Sequence, residues 1–492
     1  MVCLFLILLV TAAAWYFYSS GFLLYYGDAQ AHLNISRSIV DSRNPGYEQL
    51  GTVWLPVLHI ICLPFVARNY LWTSGLAGTI PVSICFVIAG SGIYWSGKLT
   101  YKNSVAASVS LLCFALNPNI LYLATITMTE VVFLAGLATC LFTVLLFRQT
   151  QNLKYAGLAI GASWWMSLTR YDGWFLIPFI VLALAYVAVN NRLWMLIVGT
   201  TLAALAPLYW MAHNWWLSGN ALDFYNGPYS AAAIQGNRPY PGFHDWPRAI
   251  RYYFEAGRLC SDNVLIAIGI LGLAVALWRG RWFSVSFLAL TPLFYVWSLH
   301  GSKTPIHVPT LSPFSYYNTR YGIAVTAWMA FAAGALVMAI PQRHRRFGLL
   351  IPVIALLPWL RVPAHAGSIV WKESQVNSDA RRAWTEKGAE YLKVHLSPGD
   401  GVLTQFGDLA GVFCKAGIPL KEGLHEGNGA AWFVNTMPHG LVRQAKWAMA
   451  QDGDKLSRLI AEAQSYSVVN TITVEGAPKL LIYKRRDPGD IH

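Results

Sequence analysis

Long apolar runs repeat along the first 360 residues and constrain the fold of this chain more than any other feature. The runs from Val2 to Tyr18, Leu76 to Trp95 and Val264 to Trp278 approach or meet the roughly 20 apolar residues that a helix needs to cross a bilayer core. Charged residues make up 12% of the chain, about half the share in an ordinary soluble domain. Because so few polar groups cannot cover a globule in water, the sequence predicts a polytopic α-helical membrane protein.

About eleven transmembrane helices are predicted from the apolar runs, at residues 2–19, 73–97, 104–122, 130–148, 154–169, 173–190, 193–217, 263–278, 282–300, 321–340 and 347–360. Residues 1–360 therefore form the predicted transmembrane domain. Three longer segments between the helices, at residues 28–72, 218–262 and 301–320, are predicted to be outer loops.

The loops of the predicted bundle separate by charge. One set of alternate loops has basic residues and no acidic residue: Lys98, Lys102, Arg148, Lys154, Arg192, Arg279, Arg281, Arg343, Arg345 and Arg346. The opposite side has all nine acidic residues of the first 360: Asp28, Asp41, Glu48, Glu130, Asp172, Asp223, Asp245, Glu255 and Asp262. Because short basic loops stay in the cytoplasm, we expect a plasma-membrane protein with a cytoplasmic N-terminus. The net charge of +13 then reflects membrane orientation, and no nucleic acid is expected as a partner.

Composition changes at about residue 361, where apolar runs shorten and acidic and basic residues balance. Residues 361–492 are predicted to form a small soluble α/β domain on the extracytoplasmic side. Its predicted elements are helices at 378–395, 408–416 and near 439–464, and strands at 401–405, 468–474 and 479–484.

Asp28 follows the first apolar helix and is predicted to begin a second helix that lies on the membrane surface. His32 then lies one turn further along the same face. Asp28 has an ordinary explanation as the helix N-cap. Capping does not exclude catalysis, because a carboxylate fixed at the mouth of a bundle is well placed to act as a general base.

Two further polar turns are predicted on the same side of the membrane as Asp28. Thr127 and Glu130 fit a capping box, which by itself would explain both residues. Arg170 and Asp172 lie in a turn too short to leave the membrane interface, where they either neutralise each other or form part of a functional site. Arg170 has the planar donor fork that suits a phosphate.

The third outer loop ends at Arg320, immediately before a late helix. Arg320 either extends toward lipid headgroups or holds an anionic group beside the other outward polar residues. Lys303 lies in the same loop and is a second candidate for phosphate binding. By contrast, Gly157 and Gly161 fit a pattern of close helix packing and carry no predicted chemistry.

These segments together resemble the GT-C glycosyltransferases, in particular the family 39 branch that includes the protein O-mannosyltransferases and the lipid A aminoarabinose transferase. The resemblance lies in Gly27-Asp28, in the sequence from Gly51 to Pro56, in Thr129-Glu130 and in Arg320-Tyr321. It covers most of residues 1–360. It implies a GT-C-like fold and an enzyme of the cell envelope that transfers a sugar from a polyprenyl-phosphate donor to an acceptor outside the cytoplasm.

The resemblance also implies roles for particular residues. Asp28 matches the catalytic base, Glu130 the second acidic motif, and Arg320 the position that contacts the donor phosphate; Arg170 and Lys303 are added from charge and position. Five further residues are predicted to bind substrate: His32, His59, Tyr171, Asp172 and Tyr321. Asp28 is followed by Ala29 and lacks the adjacent acid of the protein O-mannosyltransferases, which argues against a protein acceptor, although lipid, glycan and protein all stay open.

No cofactor is required by this chemistry, although a divalent cation is compatible with an Asp28–Glu130 pair. We expect inversion at the anomeric carbon by direct displacement. The main alternative is a transporter or flippase for lipid-linked sugars, but transport sites usually lie near the bilayer midplane between repeats, whereas the charges here gather on one face. A third alternative is a noncatalytic assembly subunit.

Overall fold

The computed structural model describes residues 1–360, 367–428 and 445–486. The chain forms two compact units. The first comprises Met1–Ser20, Thr52–Leu58 and the described part of Ile80–Glu373, and the second comprises Gly21–Gly51, His59–Thr79 and the described part of Ser374–His492. The predicted division at residue 360 stays a prediction, because it concerns which residues lie in the membrane and which lie outside it.

Helices make up most of the described chain. Up to residue 360 they are α1 (Val2–Ser19), α2 (Gly27–Ser38), α3 (Val57–Val66), α4 (Asn69–Ser74), α5 (Leu76–Tyr101), α6 (Ser104–Ala115), α7 (Pro118–Leu123), α8 (Thr129–Thr150), α9 (Leu153–Ser167), α10 (Asp172–Val187), α11 (Arg192–Ser218), α12 (Asp223–Asn226), α13 (Ala231–Gln235), α14 (Trp246–Ser261), α15 (Asn263–Trp278), α16 (Trp282–Gly301), α17 (Ile323–Ala333) and α18 (Leu350–Leu360). Short 3₁₀ segments occur at Tyr47–Leu50, Thr319–Gly322, Gly334–Ala339 and Gln342–Leu349.

The helices confirm a polytopic membrane protein. Among the described residues, six are long and apolar enough to cross a membrane: Val2–Ser19, Leu76–Tyr101, Thr129–Thr150, Arg192–Ser218, Trp282–Gly301 and Thr319–Ala339. A seventh is added if α14 and α15, which meet at 106°, are taken as one broken span. Several of these helices expose large apolar side chains, such as Leu8, Leu193 and Ile197, which suits lipid and not water.

All eleven predicted segments are helical, but fewer are full spans by length and composition. The segments predicted at 104–122, 154–169, 173–190 and 347–360 form shorter helices. The first of these is interrupted because the Asn117 side chain accepts hydrogen bonds from the backbone N–H groups of Asn119 and Ile120. With Pro118 at the first helical position, this cap starts the new helix α7.

Two predicted outer loops and one predicted packing motif differ from the observed structure. The predicted outer loops at 28–72 and 218–262 contain helices of their own, α3 and α14. The predicted close packing at Gly157 and Gly161 is wrong within the described chain, because a Cβ atom added at either glycine would meet no other atom within 4 Å.

The C-terminal residues of the second unit form a small α/β domain, as predicted. Its elements are α19 (Ile369–His395, of which the residues from Ser374 belong to this unit), β1 (Val402–Leu403), α20 (Ala410–Ala416), β2 (Gly423–Leu424), β3 (Trp447–Gln451), α21 (Lys455–Ala463), β4 (Tyr466–Ile472) and β5 (Leu480–Arg485). The strand order is β2-β1-β3-β5-β4. Strand β1 is parallel to β2 and β3, whereas β5 is antiparallel to β3 and β4.

The prediction of helices near 439–464 is correct at α21 and wrong at β3. Residues 447–450 are buried, and a short, continuously apolar run of this kind fits a central strand as well as a helix. Residues 439–444 lie outside the described chain. As predicted, the helix that contains Ala410 ends before Gly417, which adopts a left-handed conformation with φ of +70°.

Candidate functional site

A buried network of ion pairs in the first unit gathers several of the predicted site residues. Glu130 lies in the first turn of α8, and Asp172 is the first residue of α10. Arg170 lies in the turn before α10, and Arg320 lies in the 3₁₀ segment before α17. Each residue therefore lies at or next to the start of a helix, where a polar side chain does not interrupt an apolar span.

Glu130 is the centre of this network. Its Oε1 atom accepts a hydrogen bond from Arg170 Nη1 at 3.1 Å and another from Arg320 Nε at 3.0 Å. Its Oε2 atom is also buried and has no hydrogen-bond partner among the described residues. Since a buried acceptor without a partner costs free energy, this oxygen is the atom of the network best prepared to receive a ligand.

Arg170 is largely committed to protein partners. Besides Glu130, its Nη1 donates to Thr129 Oγ1 at 2.7 Å, its Nε to Asp172 Oδ2 at 3.2 Å and its Nη2 to Tyr295 OH at 3.0 Å. Four of the five N–H donors of the guanidinium are therefore in use. This arrangement favours a role in holding Glu130 in place over the predicted role in phosphate binding.

Arg320 joins Glu130 to a third carboxylate. Its Nη1 donates to Glu373 Oε1 at 3.1 Å, and its backbone N–H donates to Glu373 Oε2 at 3.3 Å. The ring of Tyr321 lies beside both guanidinium groups, with its centroid 4.7 Å from Arg170 Cζ and 5.2 Å from Arg320 Cζ. Tyr321 therefore contributes cation–π attraction to the network.

The network is buried and carries excess negative charge. The exposed fraction is 3% for Glu130, 3% for Asp172, 7% for Arg320 and 0% for Glu373. Two guanidinium groups face three carboxylates, which leaves one net negative charge when all five groups are ionised. Because buried charges are stable only when paired, each member depends on the others.

The capping explanation for Glu130 is wrong. The N-cap of α8 is Met128, which makes no side-chain capping bond. Thr127 Oγ1 is buried without a hydrogen-bond partner among the described residues. The simple pairing of Arg170 with Asp172, in contrast, is observed, but within a larger set of contacts than the sequence suggested.

Two residues of the network were missed in the sequence. Tyr295 donates to Asp172 Oδ2 at 2.5 Å and stacks on Tyr321 with ring centroids 5.0 Å apart. Tyr295 lies inside the apolar helix α16, and nothing in the neighbouring sequence marks it as a functional residue. Glu373 is weakly marked as one, because it is the first acidic residue after the last long apolar stretch.

Two other predicted residues of the first unit have different surroundings. Tyr171 OH donates to Val53 O at 2.7 Å, and the tyrosine ring stacks on Phe224 with centroids 4.9 Å apart. Lys303 donates to Gly236 O at 3.4 Å, which connects the third outer loop to the second. Roles for Tyr171 in substrate binding and for Lys303 in phosphate binding remain predictions.

The second unit holds the remaining candidates. Asp28 is half-buried in the first turn of α2, and the N-cap is Tyr26, so the expectation that Asp28 caps the helix is wrong. His32 Nδ1 lies 3.0 Å from His59 Nε2, and both rings are buried. One of these two nitrogens must carry the proton that the other accepts.

Asp28 belongs to the second unit, whereas Glu130 and Arg320 belong to the first. Their convergence in one cavity therefore stays a prediction. Among the described residues, no three His, Cys, Asp or Glu side chains gather in a way that would hold a metal ion.

Comparisons with known proteins include a likeness to a solved structure. No family model matches the sequence, and no curated protein matches it. Among solved structures, the chain is similar to the oligosaccharyltransferase of Archaeoglobus fulgidus, crystallised as a complex with Zn and sulfate. The match has 13% sequence identity and a TM-score of 0.45, and it covers 98% of this chain and 73% of that chain. We draw no function from a likeness at this level.

Proposed function

We propose that this protein is an integral membrane glycosyltransferase of the GT-C type, which transfers a sugar from a polyprenyl-phosphate donor to an acceptor hydroxyl on the extracytoplasmic side. The acceptor is a lipid, a glycan or a protein. The proposal includes a cytoplasmic N-terminus in the plasma membrane, with the C-terminal α/β domain outside the cytoplasm.

The reaction needs one base and a group that stabilises the departing phosphate. Asp28 takes the proton from the acceptor hydroxyl while that oxygen forms a bond to the anomeric carbon. The bond between the anomeric carbon and the phosphate oxygen breaks with inversion, and its electron pair leaves with the polyprenyl phosphate. Arg320 stabilises the negative charge on the leaving group, and the reaction permits a divalent cation without requiring one.

The observation that carries the proposal is the hydrogen-bonding environment of Glu130. A carboxylate is held at one oxygen by two arginines, while its second oxygen is buried without a partner among the described residues. Ionisable groups at membrane depth are costly and mark functional sites by default. In the proposed reaction, Glu130 Oε2 accepts a hydrogen bond from a sugar hydroxyl.

The net charge of the buried network affects how the donor phosphate can bind. With one net negative charge, the network does not attract a phosphate as it stands. In the proposal, Arg320 therefore exchanges its contact with Glu373 for one with the donor phosphate, while Arg170 continues to hold Glu130. Glu373→Gln removes the competing charge and is expected to lower the KM for the donor.

The decisive experiment measures turnover of labelled undecaprenyl-phosphate sugars by detergent-solubilised membranes that contain the protein and its native acceptor. Asp28→Asn and Glu130→Gln are each expected to reduce turnover by about 10²- to 10⁴-fold. The matched control is Glu48→Gln, which changes an exposed acid of the same loop as Asp28 and is expected to retain wild-type turnover.

Two outcomes would overturn the proposal. Wild-type turnover in Asp28→Asn would remove the base from its role. No turnover with any donor, together with movement of the labelled donor across a vesicle membrane, would favour a transporter or flippase.

A further inference from the structure

The chain segment that leads into α2 is held by the C-terminal residues of the same unit. The N-cap of α2 is Tyr26, which makes no side-chain capping bond to the start of the helix. Contacts from outside the helix also hold the chain around its first turn. The structure supplies such contacts both before and after Asp28.

The contacts before Asp28 come from one face of α19. Arg382 Nη1 donates to Leu24 O at 2.9 Å, and Arg382 Cζ lies 4.2 Å from the centroid of the Tyr25 ring. Tyr25 OH donates to Asp379 Oδ1. Asp379 and Arg382 are three residues apart on a helix and so lie on the same face.

Tyr25 is suited to act as a permanent donor in this contact. Burial, and then the hydrogen bond to Asp379, raise the pKa of Tyr25 to about 12. The phenol therefore keeps its proton at any physiological pH. The hydrogen bond between Tyr25 and Asp379 therefore persists over the pH range in which a carboxylate such as Asp28 acts as a base.

The contact after Asp28 comes from α20. Gly411 lies so close to α2 that a Cβ atom added there would be 2.6 Å from Gln30 Oε1. The loop before α20 is tied to α19 by an ion pair of 2.7 Å between Arg381 and Asp408. The two helices therefore form one support for residues 24–30.

We propose that Tyr25, Asp379 and Arg382 are positioning residues for Asp28, so that the C-terminal segment sets the orientation of the base. This inference rests on the proposed function, in which Asp28 is the base. Ordinary packing within a unit is largely apolar and not directional. Here the Arg382 guanidinium donates to the backbone carbonyl of Leu24, four residues before Asp28, and the Asp379 carboxylate accepts from Tyr25. We therefore expect loss of either bond to move the first turn of α2.

The test compares Asp379→Ala and Arg382→Gln with the control Lys415→Gln. Lys415 and Glu386 form an exposed ion pair of 2.9 Å between the same two helices, α20 and α19. Each variant is assayed with the undecaprenyl-phosphate sugar that the wild type turns over, and its melting temperature is measured. A displacement of about 1 Å costs up to about 10²-fold in rate, so we expect kcat to fall by about 10- to 100-fold, with the donor KM unchanged within about twofold.

Three comparisons separate positioning from stability. The melting temperatures of both variants should stay close to that of Lys415→Gln. Arg382→Lys keeps a cation that can reach Leu24 O and should recover most of the lost kcat. Tyr25→Phe combined with Asp379→Ala should be no slower than either single variant, because both remove the same hydrogen bond.

The outcomes distinguish the two proposals. If Asp28→Asn is inactive while Asp379→Ala and Arg382→Gln keep wild-type kcat, the positioning role is refuted and the proposed function stands. If the loss of kcat follows a loss of melting temperature and Arg382→Lys does not recover it, the contacts are structural and the inference is also refuted. If Asp28→Asn keeps its turnover, the proposed function itself fails.

Discussion

Replacement of Arg320 by methionine tests whether the buried network depends on its charges. Methionine keeps much of the length of the side chain and removes the guanidinium, which pairs with Glu130 at 3.0 Å and with Glu373 at 3.1 Å. The net charge of the network changes from one negative charge to two. Glu130 still pairs with Arg170, but Glu373 loses its guanidinium partner.

The expected cost follows from burial. Removal of one partner from a buried ion pair destabilises a protein by about 3–5 kcal/mol, because the other charge is left uncompensated. The control is Arg258→Met, which breaks the partly exposed pair of Arg258 with Glu255, where the side chains are 38% and 18% exposed. A pair of that kind contributes about 0–1 kcal/mol.

A double variant isolates the interaction between Arg320 and Glu373. Arg320→Met with Glu373→Gln restores the original net charge of the network, so its loss of stability should be smaller than the sum of the two single losses by about 1–3 kcal/mol. Unfolding by SDS in mixed micelles, followed by far-ultraviolet circular dichroism, measures these differences. The reasoning is refuted if Arg320→Met costs no more than Arg258→Met, or if the two single losses simply add.

Three further predictions concern other contacts. Tyr295→Phe removes the hydroxyl that donates to Asp172 at 2.5 Å and accepts from Arg170 at 3.0 Å. The substitution should lower the stability in the SDS assay by about 1–3 kcal/mol. A loss no larger than that caused by Tyr186→Phe, at an exposed tyrosine, would contradict this prediction. Gly272→Ala places a Cβ against the backbone of Ala332 and should destabilise the first unit by about 1–3 kcal/mol. Gly161→Ala, where the added Cβ meets nothing, should be neutral or stabilising by up to about 1 kcal/mol. Equal effects of the two substitutions on stability would refute the packing argument. Burial lowers the pKa of His425 to about 4, so the unfolded chain binds a proton there more readily than the folded chain. Up to about 3 kcal/mol of stability of the second unit should therefore be lost as the pH falls from about 6.5 to 4. Thermal melts of the wild type and of His425→Gln should diverge over this pH range, and parallel curves would contradict the prediction.

The candidate network brings together residues that the sequence singled out for different reasons. Arg170 and Asp172 were predicted from the cost of ionisable groups at membrane depth, and Glu130, Arg320 and Tyr321 from the resemblance and their predicted side of the membrane. The structure brings all five together. Their catalytic and binding roles, like that of Asp28, remain predictions.

Prediction failed where the deciding contact was distant in the chain. Thr127 and Glu130 match a capping box locally, yet Glu130 instead bonds Arg320, which lies 190 residues away in sequence. Tyr295 and Glu373 could not be chosen from their own surroundings, because their importance comes from partners on other helices. Residues 447–450 were assigned to a helix because a short apolar run does not reveal whether a sheet is present to receive it.

The sequence by itself determined the eleven apolar helical segments up to residue 360, their approximate ends and the membrane character of the chain. These properties depend on local quantities, namely the length of an apolar run, the turn and capping residues that interrupt it, and the scarcity of charge. Only the tertiary structure decided which charges pair, that Glu130 keeps a buried oxygen without a partner in the described chain, and that the residues around Asp28 are held by α19 and α20. Such contacts join residues from 40 to more than 350 positions apart, and they are fixed by how the helices pack and not by any preference that a single segment carries.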